Sequence, residues 1–377
     1  MGTVANFPIA LASGMGLNAI VAYQITPVAG SWQIAMGIVV LDGLMAFALV
    51  LVGLREAVMN AIPLDLRRAI GVGIGLFIAF IGLVNAKLVI VPPGTVAALA
   101  ANPLAVMPPV THGSLRTPEA IVALVGLLIT VALLARRVTG ALVLGILAST
   151  ALALTIGAAR FPEGAWVSMP SFETVGQADV IGALRSSALP LLLPVLLVDF
   201  FDTLGTATAI ADEAGLQDER GQIPGIRRVL AVDSLSAAIG GFFGVSSVTS
   251  YIESAAGVAE GARTGLHSVV VGLLFAVAMF LTPVVAIVPS AATAPALIAV
   301  GFLMCQQITR LDFRELDTAI PAFVLLATIP FTYSISHGIG FGFIAFVAIK
   351  LLSAKWREVH PLMYATAAGF GAFFVFG

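Results

Sequence analysis

The chain has 377 residues, 59% of them hydrophobic and only 10% charged, with a net charge of -2 and a mean hydropathy of +1.08. Soluble domains carry about 25% charged residues, so an ordinary soluble domain is excluded, and a near-neutral balance excludes a basic surface for nucleic acid. A single cysteine, Cys305, excludes an intramolecular disulfide framework, and four histidines scattered along the sequence suggest no metal cluster.

Apolar runs long enough to cross a hydrocarbon core recur along the chain, without the apolar/polar alternation of barrel strands. They predict an all-α polytopic membrane protein. Met1 to Pro8 offers none of the parts of a signal peptide, and the first hydrophobic element begins almost at once. Spans are predicted at about 9–25, 31–54, 69–92, 118–135, 139–157, 187–210, 229–245, 246–262, 264–289, 291–308, 319–336 and 338–354, followed by a weaker apolar tail from His360 to Gly377. If each span crosses, one face receives Arg55, Arg67, Arg68, Arg136, Arg137, Arg220, Arg227, Arg228, Arg263, Arg310, Arg314, Lys350, Lys355 and Arg357. The other receives Lys87, Arg116, Arg160 and Arg185, so the first face is cytoplasmic and carries Met1.

The stretch "REAVMNAIPLDLRRA", residues 55–69, reads either as a helix lying in the interface, with Arg on its flanks, or as an ordinary connector. The longest polar run, "DEAGLQDERGQIPGIRR" at 212–228, is a cytoplasmic loop too short to bury a core of its own.

Two spans look wrong for simple helices. "FPIALASGMGLNAIVAY" (7–23) opens with Pro8 and small residues, and "GVSSVTSYIESAAGVAEG" (244–261) opens with Ser and β-branched residues before a helix-forming run. Each reads as a short extended piece, a turn and a half-helix whose free N–H groups face the membrane midplane. Irregular backbone at that depth must be buried in protein or line a cavity. Two such spans about 240 residues apart are the arrangement of an inverted-repeat transporter; the alternative is that Gly14, Gly16 and Gly257 only permit close helix packing.

Intramembrane acids favour the transporter. Asp199 and Asp202, in "LPVLLVDFFDTLGTATAI", share a helix face, and the spans hold no Lys or Arg to pair with them. Such acids pair, protonate or face water, and a carboxyl able to take and release a proton is what a proton-coupled carrier needs. Asp202 and Glu253 are read as functional, and Asp199 as either functional or a group that orients a neighbour. Glu260 is read as solvated, Asp233 as lying near a helix start and bonding backbone or Ser234, and Asp42 as an isolated, bundle-facing acid. Asn18 offers donor and acceptor beside the first half-helix, or closes the helix break by bonding to backbone.

At these residues the sequence resembles the AzgA-like purine permeases, a branch of the nucleobase/ascorbate transporter superfamily. "GMGLNAIVAY", "VDFFDTLGTATAIADEAGL" and "SVTSYIESAAGVAEGARTGL" look like its three signature segments, and "GLREAVMNAIP", "APALIAVGFLM" and "IPAFVLLATIPFTYSISHGIGFG" extend the likeness over nearly the whole chain. The resemblance implies a 7+7 inverted repeat split into a core domain that holds substrate and a gate domain against which it moves. It assigns 1–62 to the first part of the core with the broken span 9–25, and 63–186 to the first part of the gate. The core resumes at 187–290, with the acidic span 187–210 and the broken span 246–262; 291–377 is the rest of the gate and the tail. About 12 spans here against fourteen in the family imply that the first two are absent. Ser13 stands where the family usually has Pro.

The implied activity is uptake of adenine, guanine or hypoxanthine with protons across the bacterial plasma membrane, with no enzyme chemistry and no cofactor beyond the proton as coupling ion. Glu253 matches the family's purine-binding glutamate, Asp199 and Asp202 its acidic pair, and Gly16 and Asn18 positions that shape the pocket. The expected substrate site is therefore Glu253, Asn18, Gly16, Ser254 and Asp202, with Asp202, Asp199 and Glu253 in proton coupling. The expected partners are a purine nucleobase, the lipid bilayer and a second copy through the gate helices. The alternatives are an anion carrier of the same fold, which would want a cation near the half-helix N-termini, and a truncated purine-binding remnant that does not transport.

Overall fold

The computed structural model describes residues 1–102, 109–161, 164–218 and 221–376; Arg220 and part of the link at 93–117 lie outside them. The chain forms two compact units, one of Met1–Leu76, Pro170–Ala276 and Met304–Gly377, the other of Phe77–Met169 and Val277–Leu303.

In the first unit both broken spans take the form expected of them. Strand β1 (Leu11–Ser13) leads into the half-helix α1 (Met15–Ile20), which continues through a π-helical turn at Val21–Ile25 and ends at Gly30 in the left-handed region. A long helix α2 (Trp32–Leu51) follows, its first turn capped by the Ser31 hydroxyl, which accepts from Ile34 N at 3.2 Å. Gly53, at φ 75°, turns the chain into α3 (Leu54–Ala61).

Later in the unit come α4 (Leu192–Glu213), α5 (Ile226–Phe243), strand β2 (Val248–Ser250), the second half-helix α6 (Ser254–Ala259) and α7 (Ile335–Leu352). Strands β1 and β2 pair antiparallel, Leu11 with Ser250, Ala12 with Thr249 and Ser13 with Val248. The pairing satisfies backbone groups that would otherwise be stranded at membrane depth. It continues at both ends, through Gly14 N to Ser247 O at 3.1 Å and Tyr251 N to Ala10 O at 2.9 Å.

Small residues let the helices approach closely. A Cβ on Gly43 of α2 would meet the Ala238 amide nitrogen of α5 at 2.3 Å, and one on Gly241 of α5 would meet Val40 N at 2.8 Å. The tail from His360 onward, expected to be weak, forms a helix, Pro361–Phe376, anchored by Phe370, which is fully buried and 4.5 Å from the Phe201 ring.

The second unit holds the helices Pro118–Ala135 and Ala141–Thr155 and the two-residue strands Val89–Ile90 and Thr111–His112, which pair with each other. Gly126 meets Ser149, and Gly145 meets Thr130, at spacings a Cβ would fill.

Among the described residues six helices are long and apolar enough to cross a membrane: Trp32–Leu51, Leu64–Asn85, Pro118–Ala135, Leu189–Glu213, Ser290–Arg310 and Ile335–Leu352. The shorter apolar helices Ala141–Thr155, Leu266–Phe280 and Leu316–Thr332, the helix α5 and the two broken segments lie where the sequence places the other spans. The stretch 55–69 is not one continuous element. It is α3, a break at Ile62 and Pro63, and the first turns of the helix Leu64–Asn85, with Arg55 fully buried.

Candidate functional site

The β1–β2 crossing sets the start of α6 against the segment leading to α1. Ser254, buried at the first position of α6, accepts from the Ala10 amide at 2.9 Å, so its hydroxyl ties the two broken segments together. Glu253 stands at the N-cap of α6, half-buried, beside its own backbone amide. The first α6 amides close on their own turn: Ser254 N on Tyr251 O, Ala255 N on Ile252 O and Ala256 N on Glu253 O, at 2.9–3.2 Å.

On the opposite side Asn18 lies in α1, where its Oδ1 accepts from the Ser13 hydroxyl at 2.7 Å; the Val245 carbonyl lies 2.6 Å from the same hydroxyl. One hydroxyl proton serves one of these acceptors at a time. Ser13 thus supplies a donor inside the chain break, and its own carbonyl accepts from the Tyr251 phenol at 2.9 Å. Gly16 lies in α1, with its surroundings outside the described residues.

The acidic pair on α4 has two separate settings. Asp202 accepts a short hydrogen bond from Ser336 of α7. Asp199, one turn earlier and fully buried, lies beside Arg55 and accepts from the Ser247 hydroxyl at 3.3 Å. The spans themselves hold no cation for these acids, but Arg55, from α3 and outside the spans as drawn, comes to Asp199, and its guanidinium is completely enclosed.

Around Arg55 the buried groups form one network. Its guanidinium donates to Asp233 Oδ2 at 3.2 Å, to Ser234 Oγ at 2.6 Å and to the Asp199 carbonyl at 3.3 Å, and sits 5.2 Å from the Phe200 ring centroid. Asp233 is two turns inside α5 rather than near its start, because the helix begins at Ile226. Its Oδ1 accepts from both the amide and the hydroxyl of Ser250, at 3.0 and 2.7 Å, and its Oδ2 also accepts from Thr203 at 2.7 Å. Since Thr203 spends its proton there, the Thr249 hydroxyl 3.2 Å away is the donor in that pair. The network therefore grips strand β2 at two consecutive residues.

Sequence reasoning passed over Arg55, Thr203, Ser250 and Ser336. Their only signal was chemical type at membrane depth: "GLREAVMNAIP" carries a lone Arg well before the Arg67–Arg68 pair. At the end of α7 a second cluster holds Asp317 between Lys350 and Lys355, each at 2.8 Å. The Asp317 carboxylate holds the Lys355 ammonium above the ordinary lysine range. A polar cleft is lined by Arg68, Asp212, Glu213, Asp218, Arg263 and Arg310, and a more apolar one by Ile9, Leu11 and Phe275; neither reaches Glu253, Asn18 or Asp202.

Two broken spans crossed through short strands, with carboxyls at membrane depth beside the crossing, define a multi-pass membrane transporter and not an enzyme. The Xan_ur_permease model, described as "Permease family", matches residues 1–341, and the chain belongs to that family, the nucleobase/ascorbate permeases. It is 39% identical to the guanine/hypoxanthine permease PbuG of Bacillus subtilis, over 100% of this chain and 83% of that one. It is 37% identical to the adenine permease AdeQ of Escherichia coli, over 98% and 81%, and 34% identical to the nucleobase transporter PlAzg2 of Paenibacillus larvae, over 92% and 67%. Among solved structures, the transmembrane domain of the cyanobacterial bicarbonate transporter BicA superposes with a TM-score of 0.53 at 16% identity, over 91% of this chain and 85% of that one. SLC26A9 superposes with a TM-score of 0.54 at 14% identity, over 93% and 58%. At these identities the likeness is one of fold, the 7+7 inverted repeat.

Proposed function

We propose that the chain is a proton-coupled importer of purine nucleobases at the plasma membrane, with hypoxanthine, guanine and adenine as its substrate class. The observation that carries the reading is the acid at the strand crossing: Glu253 stands at the N-cap position of α6 where α6 meets the segment leading into α1. A neutral purine presents a ring N–H donor on its edge, and a carboxylate standing at a helix start is an acceptor for it. The permeases named for guanine, hypoxanthine and adenine among the relatives support the same substrate class.

In this reading Glu253 receives the purine N–H, Asn18 and the backbone around Gly16 border the ring, and Ser254 holds the two broken segments in register. Asp202 and Asp199 take part in proton coupling, and a core that includes both broken segments moves against a gate, through whose helices two copies pair. A proton entering with substrate gains about 2.3 kcal/mol per 100 mV. An anion carrier would instead need a free cation at the half-helix termini, whereas Arg55 is fully enclosed and bonded to Asp233.

The test is uptake of radiolabelled hypoxanthine, guanine and adenine in bacteria lacking their own purine carriers, with and without a protonophore, for wild type and Glu253→Gln. Protonophore-sensitive uptake that disappears in the variant is expected. No purine uptake by correctly inserted wild type would overturn the proposal.

A further inference from the structure

We infer that Asp42, together with Asp199, is a proton-binding site within the Arg55 cluster, and that this site loads the coupling proton and passes its state to strand β2. The inference rests on the proton-symport reading above and locates its ion. Asp42 lies at the middle of α2 and is fully buried, and neither of its carboxylate oxygens has a hydrogen-bond partner. Asp199 Oδ2 likewise lacks one, having only the guanidinium 4.0 Å away. A buried carboxylate oxygen without a donor is unfavourable; Asp42 has two such oxygens and Asp199, whose Oδ1 is held by Ser247, has one, so the pair calls for a ligand.

The groups that face Asp42 are Asp199 from α4, Arg55 from α3 and Asp233 from α5. Two of these carboxyls lie against the one guanidinium, Asp233 at 3.2 Å and Asp199 at 4.0 Å, and Asp42 has no such contact with it. Asp233 is the acid that Arg55 neutralises, because it also accepts from Thr203 and twice from Ser250. Asp42 and Asp199 are then left without a counter-charge, and the cluster reaches balance by holding protons.

The close packing at this level argues for a proton over a hydrated metal ion. The residue after Asp42 is Gly43, whose missing Cβ leaves the α5 backbone almost in contact. A proton needs no volume. Loss of a proton from Asp42 or Asp199 adds negative charge beside Arg55, which draws the guanidinium from Asp233 toward the new carboxylate. Asp233 is the anchor of Ser250, so the change arrives at the strand that sets the position of Glu253.

The test uses the full chain reconstituted in proteoliposomes with an imposed pH gradient of about one unit, which a one-proton symporter converts into about tenfold accumulation. Wild type is expected to accumulate radiolabelled hypoxanthine in a sodium-free buffer and to lose the accumulation with a protonophore. Asp42→Asn is expected to bind hypoxanthine and to exchange it across the bilayer, with accumulation falling to none and the pH dependence of binding flattened. If Asp42→Asn accumulates like wild type, the site is not Asp42. Should Asp42→Asn fail to fold, Asp42→Glu keeps a titratable group and is expected to retain coupled uptake with a displaced pH profile; a profile identical to wild type would overturn the assignment. A wild type that accumulates only with sodium would refute the proton as ligand. Purine uptake by wild type that ignores both the pH gradient and sodium would instead bring down the symport reading itself.

Discussion

Arg55→Met tests whether the buried network holds the fold together. The substitution keeps the length of the side chain but removes donors to Asp233, Ser234 and the Asp199 carbonyl, all with no solvent to replace them. Breaking a buried ion pair by removing one partner costs about 3–5 kcal/mol, because the other charge is left uncompensated. At roughly 2 °C or more per kcal/mol, the apparent unfolding midpoint should fall by about 6 °C or more. The assay is the fraction of detergent-solubilised protein still monodisperse after heating, which reports a rate-dependent midpoint compared only within the series. The companion Asp233→Asn should also be destabilised, since it weakens the hold on Ser250. In the double variant the orphaned charge is gone, so its loss should be no greater than about that of the worse single variant, a coupling of 0.5–3 kcal/mol. Losses that simply add, or an Arg55→Met protein as stable as wild type, would refute the view of these groups as one charge-balanced unit.

The remaining predictions concern other parts of the molecule. Gly43→Ala puts a Cβ 2.3 Å from the Ala238 nitrogen, so α2 and α5 must separate, at a cost of about 1–3 kcal/mol read as a lower midpoint; an unchanged midpoint would mean that the helices are not in close contact. Ser254→Ala leaves the Ala10 amide unpaired, which costs about 1–3 kcal/mol, and should weaken purine binding as well, although the lost hydroxyl is already used within the protein. Binding and midpoint both equal to wild type would argue against that tie. Lys355 has its folded value raised by the hydrogen bond to Asp317, so its stabilisation is complete below the unfolded lysine value of about 10.4 and fades as pH rises through the folded one. The margin of wild type over Lys355→Met should accordingly stay constant up to about pH 10.4 and shrink above it; a margin that stays constant above that pH as well would show that the pair contributes nothing.

Much of the architecture was legible because bilayer length and hydrogen-bond satisfaction leave few options. The extended pieces were visible as Ser, Gly and β-branched residues interrupting apolar runs, and they became β1 and β2. Their register was not visible, since it is set by contacts such as Ala10 with Ser254 across 244 residues. Glu253 and Asp202 could be singled out as acids inside apolar spans, but the partner of Asp202, Ser336, lies on a helix 134 residues later. Arg55 was hidden by its neighbours: beside Gly53, Glu56 and a later Arg pair it has the look of a helix flank at the membrane surface. Its burial depends on Asp233 and Ser234, 178 and 179 residues away. Asp42 carried the same signal, an acid inside an apolar span, but nothing near it in sequence says what it does; its meaning comes from the acids and the arginine that other helices bring to it.

The pairing of Leu11 with Ser250 has a consequence for how the protein is made. When the ribosome has delivered the first broken span, the strand that completes it has not yet been synthesised, and the open amides of β1 have no lasting partner in lipid. The strand crossing is consequently a late product of assembly, finished only after α4 and α5 are in place to hold Asp233 against Ser250. Until then the first span must be sheltered by the insertion machinery or by provisional contacts, and chains arrested before Val248 should be the ones that quality-control proteases remove fastest.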